Sequence, residues 1–392
     1  MKKSLLLFLS VVCIINCKAQ EDDPNLGQFL AGGTLNTITT AVPFLLITPD
    51  SRSGAMGDVG VATTPDASSM HWNPSKLSFT EDDIGISVSI VPWLRELVPD
   101  INLQYIGGYY KLNDRDAIGY ELRYFSLGDI TFTDITGNIV GQYKPNEFAI
   151  GSAYSRKLSR NFSIAISGRY IYSNLTGGQS AGSTETAAGQ SIAADVSTFY
   201  TKPISIANKE SDLSFGMNIS NIGNKIAYTE TITRDFIPIN LRLGTSLSTK
   251  MDDYNKMSFS FDINKLLVPS PPLYDDNGEM IAGKDPDVSV VEGMFQSFGD
   301  APGGFKEEMR EINISAGLEY WYANQFALRA GYFHEHDTKG GRKYLTFGSG
   351  VKYNVFALDF SYLISTNNIG GTNPLANTMR FTLVFDLGAM GS

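Results

Sequence analysis

Residues 161–172 read NFSIAISGRYIY, in which Phe162, Ile164, Ile166, Tyr170 and Tyr172 fall on one side of an extended chain and Ser163, Ser167 and Arg169 on the other. The split recurs in MSFSFDIN (257–264), where Met257, Phe259, Phe261 and Ile263 oppose Ser258, Ser260, Asp262 and Asn264. In INLRLGTSL (239–247), Ile239, Leu241, Leu243 and Leu247 oppose Asn240, Arg242 and Ser246, and in MRFTLVFDL (379–387), Phe381, Leu383, Phe385 and Leu387 oppose Arg380, Thr382 and Asp386. Each stretch therefore reads as a strand with one apolar face and one face toward water.

Working outward, such segments fall at 84–93, 101–112, 116–127, 146–158, 161–174, 190–202, 211–221, 237–249, 255–266, 311–322, 325–335, 342–353, 354–366 and 378–387. Their even number suits a single-chain bacterial barrel, and lengths of about ten residues suit tilted strands crossing a hydrocarbon layer. A soluble sandwich would also alternate, so connection lengths separate the two. Connections after the second, fourth, eighth, tenth and twelfth segments are tight, with the sixth a little longer. Those after the third, fifth, seventh, ninth and thirteenth are long, the largest being 267–310. Short turns at one end and long loops at the other are the signature of a membrane barrel. The expected fold is all-β, a 14-stranded antiparallel transmembrane β-barrel over 84–387 with an N-terminal hatch. Both termini are expected in the periplasm, with the hatch entering the lumen from that side.

Composition agrees. The 392 residues are 42% hydrophobic and 18% charged, with 38 Gly, 19 Tyr and 23 Phe. After the first fifteen positions no apolar run is long enough for a spanning helix, which leaves a closed barrel as the way to cross a bilayer. A net charge of −10 argues against nucleic acid. Lys2 and Lys3, the apolar run 5–15 and Cys17-Lys18-Ala19 form an export signal with cleavage expected after Ala19. That cut removes both cysteines, Cys13 and Cys17, and with them any thiol chemistry. The rival reading, a lipoprotein acylated at Cys17, lacks the usual small residue just before the cysteine. GAMGS at 388–392 reads as an appended tail outside the fold.

Between signal and barrel, 20–83 forms an arm and hatch. Within it, 48–79 (TPDSRSGAMGDVGVATTPDASSMHWNPSKLSF) carries no alternation. Gly54, Gly57 and Gly60 permit close backbone approach, and Pro65 and Pro74 forbid regular ladders, so the stretch reads as a compact plug with Asn73 and Pro74 leading toward the first strand. GAMGDVG lacks the spacing of a dinucleotide loop. Glu121, Arg123, Arg169, Arg242, Asp262, Glu319, Arg329, Asp359, Arg380 and Asp386 all alternate into the lumen with mixed signs, which reads as an ion-pair network rather than a pore lining. Chemistry is thin: the histidines are His71, His334 and His336. His334 and His336 would share one side of a strand end beside Glu335, but the pattern reads as a solvated loop. No catalytic residue, cofactor site or metal site is assigned, and the chain is not expected to be an enzyme.

The stretch AVPFLLITPDSRSGAMGDVGVATTPDASSMHWNPSKLSF (41–79), followed by VPWLRELVPDINLQYIGGYYKL (91–112), resembles the PorV family, outer-membrane proteins of the type IX secretion system. That family is similar to the FadL group of fatty-acid-transporter barrels, whose hatch leads into an Asn-Pro-Ala segment; Asn73, Pro74 and Ser75 stand here. The resemblance implies an outer-membrane protein of a gram-negative bacterium that binds the giant type IX translocon, the C-terminal domain of secreted cargo, or both. It also implies delivery of cargo to the cell-surface attachment complex, with outer-membrane lipid as the surrounding partner. The alternative is a FadL-like channel for hydrophobic small molecules. The 267–310 insertion favours protein docking, since VPSPPLYDDNG and VSVVEGMFQSF supply Val268, Leu273, Tyr274, Val290, Met294, Phe295 and Phe298 as apolar anchors expected on the outside, the competing reading being a self-packed cap over the barrel mouth.

Overall fold

The computed structural model describes residues 35–388 except 95–97, 99, 134–135, 137, 178–185, 230–233, 367–374 and 376. The expected export signal (1–19), residues 20–34 of the arm and the tail at 389–392 lie outside the described residues. In chain order the strands are β1 (Ile84–Pro92), β2 (Ile101–Lys111), β3 (Asp116–Leu127), β4 (Ile130–Thr133), β5 (Ile139–Tyr143) and β6 (Asn146–Lys157). Next come β7 (Phe162–Asn174), β8 (Gly189–Ile206), β9 (Lys209–Gly223), β10 (Asn240–Lys250), β11 (Asn255–Leu266), β12 (Leu273–Tyr274) and β13 (Met280–Ala282). The last are β14 (Asn313–Tyr322), β15 (Phe326–His334), β16 (Lys343–Tyr353), β17 (Phe356–Ser365) and β18 (Met379–Leu387).

Fourteen of these close a barrel in which each strand is antiparallel to both neighbours, and β1 pairs with β18 from Ile84↔Leu387 to Ile90↔Phe381. Every segment expected from alternation is a barrel strand. The two additional hairpins, β4–β5 and β12–β13, sit in long connections and are too short to show a period. The sixth connection differs from expectation. β8 runs on through Pro203 to Ile206, leaving only Ala207 and Asn208, both at positive φ, as a two-residue hairpin turn.

Alternation has the meaning a membrane gives it. Along β7, Ile164 and Ile166 point outward while Ser163, Ala165, Ser167 and Arg169 are buried; along β11, Phe259 and Phe261 point outward while Ser258, Ser260 and Asp262 are buried. Ile239 departs from its expected outward face, because it precedes β10 and packs into an apolar cluster at the long-loop end.

The inward face is not wet, as its polarity suggested. The pre-barrel chain fills it: 3-10 turns at Pro43–Leu46 and Pro74–Phe79 and single helical turns at Ser51–Gly54 and Ser69–Trp72, all largely buried. Its direction is a further correction. Asn36 donates its backbone N–H to Thr338, in the β15–β16 connection, and its side chain to Pro271 and Glu307, in the β11–β14 connection, so this end of the segment sits among the long loops. The other end reaches the short turns, where Lys111 donates to the Thr80 carbonyl, and turns straight into β1. The segment thus runs down the lumen from the long-loop end, because its apolar stretch 41–47 packs with Val91, Leu103, Phe125, Ile171 and Phe236 there. A smaller cluster of Ala67, Met70, Leu77, Tyr109, Ala117 and Ala153 lies lower down.

Among the paired ladders of the wall, the register slips only between β8 and β9, where Ala194 faces Ile222 but Val196 faces Ile219. Asn221 there adopts positive φ, and its N–H is held by the Asp195 carboxylate at 2.7 Å. The extra residue lies in β9, where Ser220 and Asn221 are both buried, while β8 keeps its alternation and Asp195 faces the lumen by that period.

Phe259 lies midway along the lipid face of β11. Phe259→Arg is expected to cost about 2–4 kcal/mol of barrel stability. Phe259→Leu should cost less than about 1.5 kcal/mol. Urea titration in lipid vesicles, followed by heat-modifiable gel mobility, measures both.

Candidate functional site

Two places concentrate polar chemistry, the filled lumen and the outer insertion. In the lumen an irregular backbone must find partners for its N–H and C=O groups, and wall side chains supply them. Asp262 accepts from Gly60 N–H at 2.7 Å and Val61 N–H at 3.0 Å. Thr346 accepts from Gly57 N–H and Thr382 from Ser51 N–H, each at 2.8 Å. Ser155 and Ser163 both donate to the Ser75 carbonyl, at 3.0 and 2.6 Å. The segment also braces itself. Asp50 accepts from Ser53 N–H and from Trp72 Nε1, and Asn73 donates to the carbonyls of Val61 and of Thr198 in the wall. Lys76, fully buried, donates to the Gly60 carbonyl at 2.7 Å and to Thr63.

Nine of the ten expected lumen charges are buried; Asp386 is half-buried near the short turns and pairs with Lys352 at 2.9 Å. Two networks form. Arg52 of the inner segment bridges Glu319 and Asp66, each at 2.8 Å, and Glu319 continues to Arg329 and Asp359 at 2.8 and 2.6 Å. Arg169 joins Glu121 and Asp195, while Arg123 beside Glu121 donates to the Leu45 carbonyl and to His71 Nδ1. The network is less complete than alternation suggested. Arg242 stacks on Trp72, 4.8 Å from its ring centre, and Arg380 meets Asp58 only at 3.9 Å, with its Nε and Nη1 lacking partners among the described residues. Arg52, Asp66 and Lys76 were not singled out by sequence. Lying in a stretch without period, they have no face to be read from.

The small residues expected at close approaches are at such contacts. Gly57 has φ +70°, and a Cβ there would lie 2.5 Å from the Tyr332 carbonyl oxygen. Gly60 faces the Trp72 ring and Gly54 the Arg380 side chain. The wall reciprocates at Gly331, whose added Cβ would lie 2.0 Å from Met56 backbone. Asn73 caps the Pro74–Phe79 turn by accepting from Ser75 N–H.

The insertion 267–310 is ordered around buried carboxylates. In the helix Phe305–Arg310 and just after it, Glu307, Glu308 and Glu311 face inward. Lys265 of β11 pairs with Glu308 at 3.1 Å and Glu311 at 2.6 Å, and Lys339 of the β15–β16 connection pairs with Glu307 at 2.5 Å and Glu311 at 2.9 Å. Glu308 also accepts the N–H groups of Asp300 and Ala301. Of the expected outer anchors, Tyr274, Phe295 and Phe298 are exposed, Phe295 by 76%. Val268 is buried, Leu273 is half-buried, and Val290 and Met294 pack against the apolar cluster below. Val290 and Met294 support the loop instead of facing out, because the helix Val290–Gln296 turns one side onto Phe236 and Pro269 at Gly293, and Val268 belongs to the same apolar cluster. Phe305, Val291 and Met309 are exposed in their place. Glu335 is buried in a two-point pair with Arg342, and His336 caps the turn Asp337–Lys339, so this strand end is not a solvated loop. No cluster of metal-ligating side chains occurs among the described residues.

Between these layers lies a cavity of about 540 Å³, lined by apolar side chains such as Phe44, Ile47, Trp93 and Leu363 and by Arg342 and Arg380.

A family model described as type IX secretion system protein PorV matches residues 31–273. The chain belongs to the PorV family. PorV-family membership and the closed barrel together make it an outer-membrane component of the type IX secretion system. No curated protein matches it in sequence. Similar solved structures are FadL-like barrels. The Ralstonia pickettii toluene transporter TbuX is 11% identical, with 86% of this chain and 97% of that one covered at a TM-score of 0.47. The P. putida toluene transporter TodX is 10% identical over 87% and 99%, TM-score 0.47. A Pseudomonas aeruginosa FadL homologue is 11% identical over 90% and 100%, TM-score 0.43.

Two measurements probe the site. Gly57→Ala should cost about 1–3 kcal/mol, since the left-handed backbone and the Tyr332 carbonyl both exclude a methyl group, and the loss should appear as a lower urea midpoint with the barrel still assembled. In the insertion, burial and then Glu308 and Glu311 raise the Asp300 pKa from its ordinary 3.8 to about 6. A raised carboxyl pKa means the folded insertion holds a proton the unfolded one has released, so this group's contribution to stability grows as pH falls from 7 toward 5. Glu307, lowered by Lys339 against the opposing effect of burial, loses its contribution only below the ordinary glutamate range. Hydrogen-exchange protection of 300–308, corrected for intrinsic rates, should therefore rise between pH 7 and 5 and become flat in Asp300→Asn.

Proposed function

We propose that this PorV-family protein binds the translocon, the C-terminal domain of secreted cargo, or both through its long-loop face and carries cargo to the cell-surface attachment complex. Short turns then face the periplasm together with the end of β18, long loops face the cell exterior, and 1–19 is the cleaved export signal. The observation that carries this reading is the insertion, which spends buried ion pairs on holding a rigid frame while leaving Phe295, Phe298, Phe305 and Tyr274 uncovered. Exposed aromatics on a rigid frame are what hot-spot binding requires. The inner segment acts as a hatch, occupying the lumen with many polar bonds, so that partners meet the outer surface and not a pore.

The cavity of about 540 Å³ favours a second reading, a FadL-like passage for a hydrophobic small molecule, since its walls are mainly apolar.

Affinity purification of the tagged protein from its native membrane, followed by mass spectrometry of protein and lipid, separates the two. Translocon or cargo should co-purify; bound lipid alone would favour the passage. Phe295→Ala and Phe298→Ala should each weaken partner recovery by about tenfold or more, as truncated hot spots do. Met294→Ala should instead loosen the insertion itself. Full secretion by the Phe295→Ala/Phe298→Ala double variant at normal abundance would move the docking surface to another loop.

A further inference from the structure

The outermost part of the inner segment is held differently from the rest. Asn36 is buried and fixed by three hydrogen bonds: its N–H to the Thr338 carbonyl at 3.0 Å, and its side-chain amide to the Pro271 carbonyl at 3.2 Å and to Glu307 Oε1 at 2.9 Å. The next backbone bond is Ala41 N–H to the Phe236 carbonyl at 2.9 Å. Between these pins, Thr37–Thr40 carry no hydrogen bond among the described residues, and Thr37 and Thr39 are exposed. All four line the cavity.

Immediately inside the second pin stands Val42, buried, with φ 49° and ψ 49°. A β-branched residue in the left-handed region is strained by about 1–3 kcal/mol, and here Pro43 follows, which itself disfavours helical backbone at the residue before it. Such strain persists only where surrounding contacts enforce it. Phe44 and Leu45, buried in the apolar cluster, hold the inner side; the pins at Asn36 and Ala41 hold the outer side. Loss of the outer pins would let Val42 relax toward an extended backbone and swing residues 36–41 off the cavity.

The latch is tied to the insertion. Glu307, which accepts from Asn36, also accepts from Lys339 and from Gly303 N–H, and Lys339 is shared with Glu311. Any shift of the helix Phe305–Arg310 must therefore strain the bond to Asn36.

We propose that residues 36–41 are a strap latched over the outer cavity by Asn36, strained at Val42, and released when the helix Phe305–Arg310 is displaced. The docking partner proposed above would supply that displacement in the cell; the latch can be tested without it. Ile38, half-buried against the apolar cluster and lining the cavity, reports the strap's position. Both cysteines of the chain, Cys13 and Cys17, lie in the export signal proposed to be cleaved, so in the purified, micelle-embedded mature barrel Ile38→Cys gives a single site for a bulky maleimide.

Asn36→Ala removes two side-chain bonds, one to a charged acceptor, and should raise the labelling rate by about tenfold or more. Glu307→Ala should do the same, Glu307→Gln, which keeps an acceptor, should stay near the parent rate, and Asn36→Ala/Glu307→Ala should label no faster than the quicker single variant, as expected for two sides of one bond. Phe295→Ala, on the insertion but outside the latch, should leave labelling unchanged while losing partner recovery, which separates failure of the latch from failure of the docking surface. A parent-like rate in Asn36→Ala overturns the proposal, as do multiplying effects of the two alanine changes. If Glu307→Ala does not assemble, the Asn36→Ala rate decides alone.

Discussion

Peptide groups enclosed by a barrel have no bulk water to turn to, and that single constraint organises the molecule. The pre-barrel segment follows no regular ladder, so its N–H and C=O groups are met one at a time by Asp262, Thr346, Thr382, Ser155 and Ser163 of the wall. The wall in turn must be approachable, which is why Gly331 faces Met56 and Gly57 faces Tyr332. Segment and wall are therefore one packed body.

The buried charges obey the same logic. Glu319 would sit against Arg329 alone without Arg52, which the inner segment brings across the lumen, and Arg123 would lack the Leu45 carbonyl and His71. Removing one partner from such a group leaves an uncompensated charge, far costlier than never burying it. The network thus makes withdrawal of the whole segment expensive, while its outermost residues, held through Asn36 and Ala41, are bound by few bonds.

That face owes its shape to a second buried network. Lys265 and Lys339, from a strand and a neighbouring connection, draw Glu307, Glu308 and Glu311 beneath the insertion, and this fixes which side chains remain uncovered. An insertion of this length could have collapsed its aromatics inward. Instead Val290 and Met294 serve that purpose and Phe295 and Phe298 do not.

Strand number, strand position, which side faces lipid and which end carries long loops were all legible in the chain, because a two-residue period against a hydrocarbon solvent leaves one arrangement for residues such as Phe259 and Ser260. The charges Glu121, Arg169, Glu319 and Arg329 could be assigned to the lumen on the same ground. Family resemblance was carried by 41–112, yet the path of its first part, 41–79, was not readable: without period or ladder, the downward course from Asn36 to Thr80 is decided by which wall atoms can satisfy it. The partners of Arg52, the inward turn of Val268 and Met294, and the latch at Asn36 likewise join residues far apart in the chain. Local pattern determines a face; only the closed barrel determines what that face meets.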